Sequence, residues 1–252
     1  MPIAPRVGDN VYGDMYADTF DELFQGHDNV NAVSGLLHEL AGTGDVIEFG
    51  VGTGRLAIPL AARGHRVYGV DNSQRMLDGL AAKPGAGGVI PVLADCAEVK
   101  IEANASLVFS AFSSIFLLGT QDAQVRTVLN AAAHLPVGGR FIAETFVHDR
   151  TRLTNDQEVV ITRMQDQSVT IRLGVFDPST QVIRTQKLTI APDGVTFLPN
   201  RLRLIHPAEL DLMARLAGMR LEFRWSDWER GPFDATSANS IAVYQKVAAH
   251  AI

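Results

Sequence analysis

Cysteine is nearly missing: Cys96 is the single one in 252 residues. An intrachain disulfide is therefore impossible, and no cysteine-based metal cluster fits. No apolar run approaches the ~18 residues that a membrane-spanning helix needs. The opening Met1-Pro2-Ile3-Ala4-Pro5-Arg6 lacks the apolar core of a signal peptide. Positive charge is in deficit, with 22 Lys and Arg against 28 Asp and Glu, a formal net charge of −6. Nucleic acids and anionic membranes call for clustered basic surface, so neither is an expected partner. No internal repeat and no low-complexity segment stands out. The expectation is a soluble cytoplasmic protein with no metal, a small-molecule partner and a homodimeric state left open.

What is present is a change of rhythm along the chain. Tyr16, Phe20 and Phe24 sit four apart, which predicts one face of a helix, and a second helix is predicted over 30–40. Short apolar strands then alternate with helices from Val46 to Val147. That pattern means βαβ units and a mostly parallel sheet. Near residue 155 the rhythm breaks. Val169, Ile171, Leu173 and Val175 alternate with polar residues, and Asp177-Pro178-Ser179 and Pro192-Asp193-Gly194 read as turns. This predicts an antiparallel meander. A helix returns at Pro207, and strands close the chain near Leu221–Trp225 and Ser240–Gln245. The expected division is a helical lid over 1–42, a Rossmann-like core over 43–152, a β insertion over 153–206 and a completing segment over 207–252.

The sharpest local pattern is Glu48-Phe49-Gly50-Val51-Gly52-Thr53-Gly54-Arg55, after a strand and before a helix. Gly50 permits a tight turn, and Gly52 lets a ligand reach the backbone with no Cβ in the way. The helix that follows offers unpaired N–H groups. Asp71 ends the next strand, 17 residues after Gly54, where a carboxylate can accept from both hydroxyls of a ribose. Asp95-Cys96 ends the third strand, a position suited to an adenine. Each has a plainer role beside this one: an empty glycine turn, a helix N-terminal acid, a cap.

Taken together, Glu-Phe-Gly-Val-Gly-Thr-Gly (48–54), Val-Tyr-Gly-Val-Asp-Asn-Ser-Gln-Arg-Met-Leu (67–77) and Leu-Ala-Asp-Cys (93–96) resemble the successive cofactor motifs of class I S-adenosylmethionine (SAM) dependent methyltransferases. The resemblance implies an α/β fold with a mostly parallel seven-stranded sheet, helices on both faces and a small antiparallel insertion. It implies SAM as cofactor, held by Tyr12, Tyr16, Glu48, Gly50, Val51, Gly52, Arg55, Asp71, Asn72, Met76, Asp95, Cys96 and Phe112. A narrower likeness runs through Met15–Phe24 and Phe112-Ser113-Ser114-Ile115, which are similar to antibiotic-pathway enzymes that dimethylate amino-sugar nitrogens. In those enzymes a histidine often follows soon after; here Phe116-Leu117-Leu118 follows, which points to a flatter, more apolar acceptor. An NAD-dependent oxidoreductase and a non-catalytic SAM-binding protein are the alternatives. The first is weakened by the helical prelude and by the want of a Tyr-x-x-x-Lys pair.

Methyl transfer to a good nucleophile needs positioning and desolvation more than acid–base help. A hydroxyl acceptor needs a base, and His148, after the fifth strand, is the candidate; the resemblance implies Tyr16 beside the transferred methyl. His148 could equally be a surface loop histidine. Glu144, Asp149, Arg201, Arg203 and His206 are further polar candidates, the two arginines facing either solvent or a carboxylate on the substrate. Trp225, Trp228 and Phe233 read as core or as pocket wall.

Overall fold

A computed structural model of the chain describes residues 11–23, 29–149, 151 and 153–247. Phe24 and the first ten residues lie outside this set.

Three short strands make the centre: β1 (Asp45–Phe49), β2 (Val67–Asp71) and β4 (Ala105–Ser110). They are mostly apolar, with charge only at the strand-end Asp45 and Asp71 and the buried Glu48, because both faces of a parallel sheet are covered. With β3 (Val89–Leu93), β5 (Arg140–Phe146), β10 (Met219–Trp225) and β11 (Asn239–Lys246) they form a seven-stranded sheet in the order β10-β11-β5-β4-β1-β2-β3. β11 is antiparallel to both its neighbours and the rest are parallel. Helices α3 (Val30–Ala41), α4 (Ala57–Ala62) and α5 (Gln74–Ala81) bury Leu37, Leu60 and Leu77 against one face of the sheet. Helices α6 (Gln121–Ala133) and α7 (Pro207–Leu216) bury Val128 and Met213 against the other. Among the described residues no helix is long and apolar enough to cross a membrane.

From β1 the chain moves outward to β2 and β3, then returns beside β1 to lay down β4 and β5. Strand order reverses between β1 and β4. A crevice opens at such a point, at the carboxyl ends of the strands, where α/β sheets take ligands.

The insertion is a four-stranded antiparallel sheet of β6 (Gln157–Gln165), β7 (Ser168–Asp177), β8 (Val182–Ala191) and β9 (Gly194–Arg203). β6 is not legible as a strand in the sequence. Its register shifts between Ile161 and Arg163, so its alternation of apolar and polar residues is interrupted. β9 packs on the turn Ser114–Leu118, which follows β4, so the insertion stands on the carboxyl-end side. Gln124 of α6 is the joint. Fully buried, it donates to Ile115 O at 3.1 Å and Arg203 O at 2.8 Å, and accepts from Arg203 Nη1 at 2.6 Å. Arg203 also donates to Gln181 and Glu209, each at 2.8 Å.

Two expectations are corrected. The aromatic stripe is not one helix: α1 (Val11–Tyr16) ends in a turn at 17–19 and α2 (Phe20–Leu23) starts afresh. Asp14, Asp18 and Asp21 are each drawn to a different partner on the core, which a single straight helix could not satisfy. Strand β4 stops at Ser110, because Phe112 and Ser113 adopt left-handed φ of 56° and 55° and reverse the chain. Arg203 is buried and spent on the joint, so it faces neither solvent nor a substrate.

Gln124→Ala would strand two buried carbonyls and a guanidinium N–H. The expected loss is about 2–4 kcal/mol, read as a lower urea midpoint at unchanged m-value. A loss below about 0.5 kcal/mol would show that the joint does not hold the insertion.

Candidate active site

The glycine loop lies at the head of the crevice. Gly50 and Val51 both donate to Val70 O, at 2.8 and 3.0 Å, tying the loop to β2. Gly50 has φ of 77°, and a Cβ there would come within 2.9 Å of Ser114, so no other residue fits. Gly52 has φ of 54°, and its missing Cβ would face open space, with Met76 Sδ at 3.9 Å and Phe20 at 4.0 Å on the margin. That is backbone a ligand can approach. Val51 points the other way, buried against Gly69, so only its main chain is available to a ligand.

Asp71 holds this loop in shape. Its Oδ2 accepts from Gly52 N at 2.8 Å and its Oδ1 from Ser73 N at 3.0 Å. Burial raises its pKa, opposed by those two bonds and by a third from the Asn72 N–H. Glu48, on β1, is buried to 4% exposure, and burial pushes its pKa up to about 8, against the pull of Arg55. Its Oε2 is buried with no hydrogen-bond partner. Arg55 lies over the Phe112 ring at 5.3 Å and so bridges the loop to the end of β4. At the end of β3, Asp95 is exposed and its Oδ1 caps Ala97 N at 2.8 Å. Cys96 is half-buried and burial raises its thiol pKa.

Over the loop lie α1 and α2. Gly13 meets Ser73 so closely that a Cβ would sit 2.4 Å from the Ser73 Cβ. Ser73 Oγ donates to Asp14 at 2.7 Å, Arg75 to Asp14 O at 2.6 Å, and Thr53 Oγ1 to Asp21 at 2.7 Å. Lys83 pairs with Asp21 at 2.7 Å. Tyr12 and Tyr16 stack at 4.4 Å, and burial raises both phenol pKa values. Met76 is buried between Gly13 and Gly52. Sequence reasoning missed Asp14, Asp21, Thr53 and Ser73 as a clasp, since nothing in their spacing links residues 32 to 59 apart.

The opposite wall is the reversed chain after β4. Phe112 N donates to Glu144 Oε2 at 2.6 Å, and Phe146 N donates to Ser113 Oγ at 3.1 Å. Two bonds from β5 thus hold two residues in a disfavoured backbone region, as strain at a working site requires. Phe116 is wholly buried against Phe146 at 5.0 Å, so it is core and lines nothing. Leu117 remains half-buried beside it. His148 is half-buried past the end of β5, its ring 5.0 Å from Phe176 of β7, at the root of the insertion. Trp228 is core, Trp225 stacks on Phe223, and Phe233 lies under Arg224. His206 directly precedes α7, a helix-start residue.

A glycine loop at a strand-order switch, with an acid on each of the next two strands, defines an α/β nucleoside-binding enzyme core. Residues 46–139 match the methyltransferase domain family. The fold matches the CcbJ methyltransferase of Streptomyces caelestis at a TM-score of 0.89 and 36% identity, over 95% of this chain and 99% of that one. The chain belongs to the SAM-dependent methyltransferases, and SAM is its cofactor. A SAM-dependent methyltransferase from Clostridium acetobutylicum shares the fold at a TM-score of 0.79 and 14% identity, over 93% and 99% of the two chains. So does CalS10 of Micromonospora echinaspora at 0.69 and 18%, over 92% and 97%. No curated protein sequence matches. Family membership removes the oxidoreductase alternative.

The residues present fit the cofactor. Gly52 leaves open backbone beside the loop, and the buried, unpartnered Glu48 Oε2 awaits a donor or a cation. In the unfolded chain Glu48 titrates near 4.5, in the fold near 8. Between those values the fold carries a proton that the unfolded chain has lost. The stability this group contributes is whole below pH 4.5 and falls as pH rises toward 8, by roughly 1.4 kcal/mol per pH unit at most. Glu48→Gln, neutral at every pH, lacks that slope. Urea unfolding without SAM should therefore show the variant gaining on wild type from pH 5 to pH 8. A constant difference would mean that Glu48 is already ionised in the fold.

Proposed function

We propose that this enzyme moves the SAM methyl group to a nitrogen or oxygen of a small molecule, a secondary metabolite. The observation that carries this is the double cover of the crevice, by α1 and α2 on the loop side and by the insertion on the other. A site closed in this way suits a small acceptor rather than a macromolecular one. CalS10, of like architecture, is an amino pentose methyltransferase involved in calicheamicin biosynthesis. That supports the reading.

When bound, the cofactor supplies a methyl group on a sulfonium, open to in-line displacement. Asp71 would hold the ribose. Its two oxygens already accept three N–H groups, from Gly52, Ser73 and Asn72, which leaves one of about four lone-pair sites for a ribose hydroxyl. Asp95 and Cys96 would hold the adenine with Asn72 and Met76 beside it, and Gly50, Val51 and Gly52 the amino-acid part, near Glu48 and Arg55. Tyr12 and Tyr16 would present ring faces to the sulfonium, a favourable cation–π arrangement in a dried site. Phe112 and Leu117 would offer the acceptor a flat apolar surface. His148 would take the proton that the acceptor loses.

Incubation with methyl-labelled SAM and a panel of amino sugars, aromatic amines and phenols tests the reading. Label on N or O is expected, and SAM binding with no transfer to any class would mark a non-catalytic protein. His148→Ala should lower turnover about 10²–10⁴-fold at unchanged SAM affinity. A loss of a few-fold would leave an amine that attacks in its neutral form, with no base.

The same reading makes α1 and α2 a lid. Gly13→Val puts a branched side chain where Ser73 already stands. SAM should then bind at least tenfold more weakly and no longer protect 11–23 from hydrogen exchange. Unchanged affinity and protection would make these helices ordinary packing.

A further inference from the structure

We propose that the outer face of the β6–β9 sheet is a homodimer interface, on which two copies stack sheet against sheet. In antiparallel strands paired residues share a face. Val159 pairs with Leu173, Leu188 with Phe197 and Ile190 with Val195. All six therefore lie on one side, continued by Ile161 and Ile171. The other side carries Phe176 and Ile183, both buried in the core of the chain. Among the described residues nothing covers the outer side: Val159 is 72% exposed, Ile161 57% and Phe197 57%.

Size and charge commit this face to a second copy. The strands have nine or ten residues. At about 3.3 Å per residue and about 4.8 Å between strands, they make a slab of roughly 30 by 19 Å. Its projecting side chains bring the accessible area near the ~800 Å² per partner of a standard interface, and above the patch a monomer commonly shows. The chain has net charge −6, so two copies repel unless they meet on uncharged surface. The middle of this face has none: Val159, Ile161, Ile171, Leu173, Leu188 and Phe197 are apolar, and the one polar residue among them, Gln186, is uncharged.

Charge enters only at the two ends. At the root this face carries Arg184 and its pair Arg201, whose Nη1 donates to Gly119 O at 3.3 Å, with the single anion Asp177 beyond them, so the root is net positive. Asp166 and Asp193 lie in the hairpin tips at the far end. A two-fold axis running across the strands lays each root over the partner's tips, cation near anion. An axis along the strands would set the arginines of the two copies together. The first arrangement is the one proposed, with the sheets about 10 Å apart.

Sedimentation of the whole chain at micromolar concentration tests this. Wild type should run at twice the chain mass. Val159→Glu and Phe197→Glu should each shift it to the monomer, with circular dichroism unchanged. Leu216→Glu, equally exposed but on α7, should leave the dimer intact. If either glutamate variant fails to fold, Val195→Lys reads the same face. A monomeric wild type, or a dimer that survives both folded variants, overturns the proposal. Arg184→Asp should loosen the dimer severalfold at low salt. A tighter dimer in that variant would overturn the crossed arrangement.

Discussion

The glycine-loop side of the site hangs on one carboxylate. Asp71 ends β2 and spends its two oxygens on two different segments, the glycine loop through Gly52 N and the start of α5 through Ser73 N. Ser73 in turn donates to Asp14 and makes the floor on which Gly13 rests. Loop, helix and the covering segment α1 are therefore referred to a single strand end. A charged acceptor is well suited to this, since bonds to an ionised group are worth roughly twice a neutral one. It also means that removing Asp71 would loosen the loop as well as any ligand contact. A loss of cofactor binding in such a variant would not by itself separate the two.

The opposite wall of the crevice is held by a different device. Phe112 and Ser113 sit at φ values that side chains dislike, at a cost on the order of 1–3 kcal/mol each, and β5 keeps them there through Phe112 N to Glu144 and Phe146 N to Ser113 Oγ. From this reversed chain the turn 114–118 runs under β9, and Gln124 binds the two together. The insertion is thus positioned by the same segment that ends the central strand. A shift in either would move both, because a buried hydrogen-bonded network has few alternative arrangements.

The sheet and the loop were legible because their causes are local. A strand buried on both faces is mostly apolar, and Gly50 and Gly52 announce backbone that only glycine tolerates. Asp71 and Asp95 follow from their places at strand ends. The clasp was not legible. Thr53 meets Asp21, and Ser73 meets Asp14, across gaps that only the folded chain closes. The period-four aromatics suggested one helix, and tertiary bonds to three aspartates overrode it. Arg203 alternates as a strand residue should, yet its guanidinium turns into the core, where Gln124 and Glu209 await it. Pattern tells which face a residue takes, not what lies opposite.

That same limit explains the two-sided character of the insertion. A strand changes face at every residue, so β7 sends Phe176 into the core and its neighbour Val175 outward. In a sheet covered on one side only, the outer set should be polar. Here Val159, Leu173, Val195 and Phe197 are not. An apolar outer face is the mark of a sheet covered there too; the inner face is apolar at its root, at Phe176 and Ile183, and polar beyond it, at Thr170, Arg172, Lys187 and Thr189. One cover is the core of the chain itself, through Phe176, Ile183 and the Gln124 joint. The shift in β6 at Ile161–Arg163 restores the outward direction of Met164, which would otherwise have turned to the inner side. A bulge that keeps an exposed methionine in line with Val169 makes physical sense when something lies against that line.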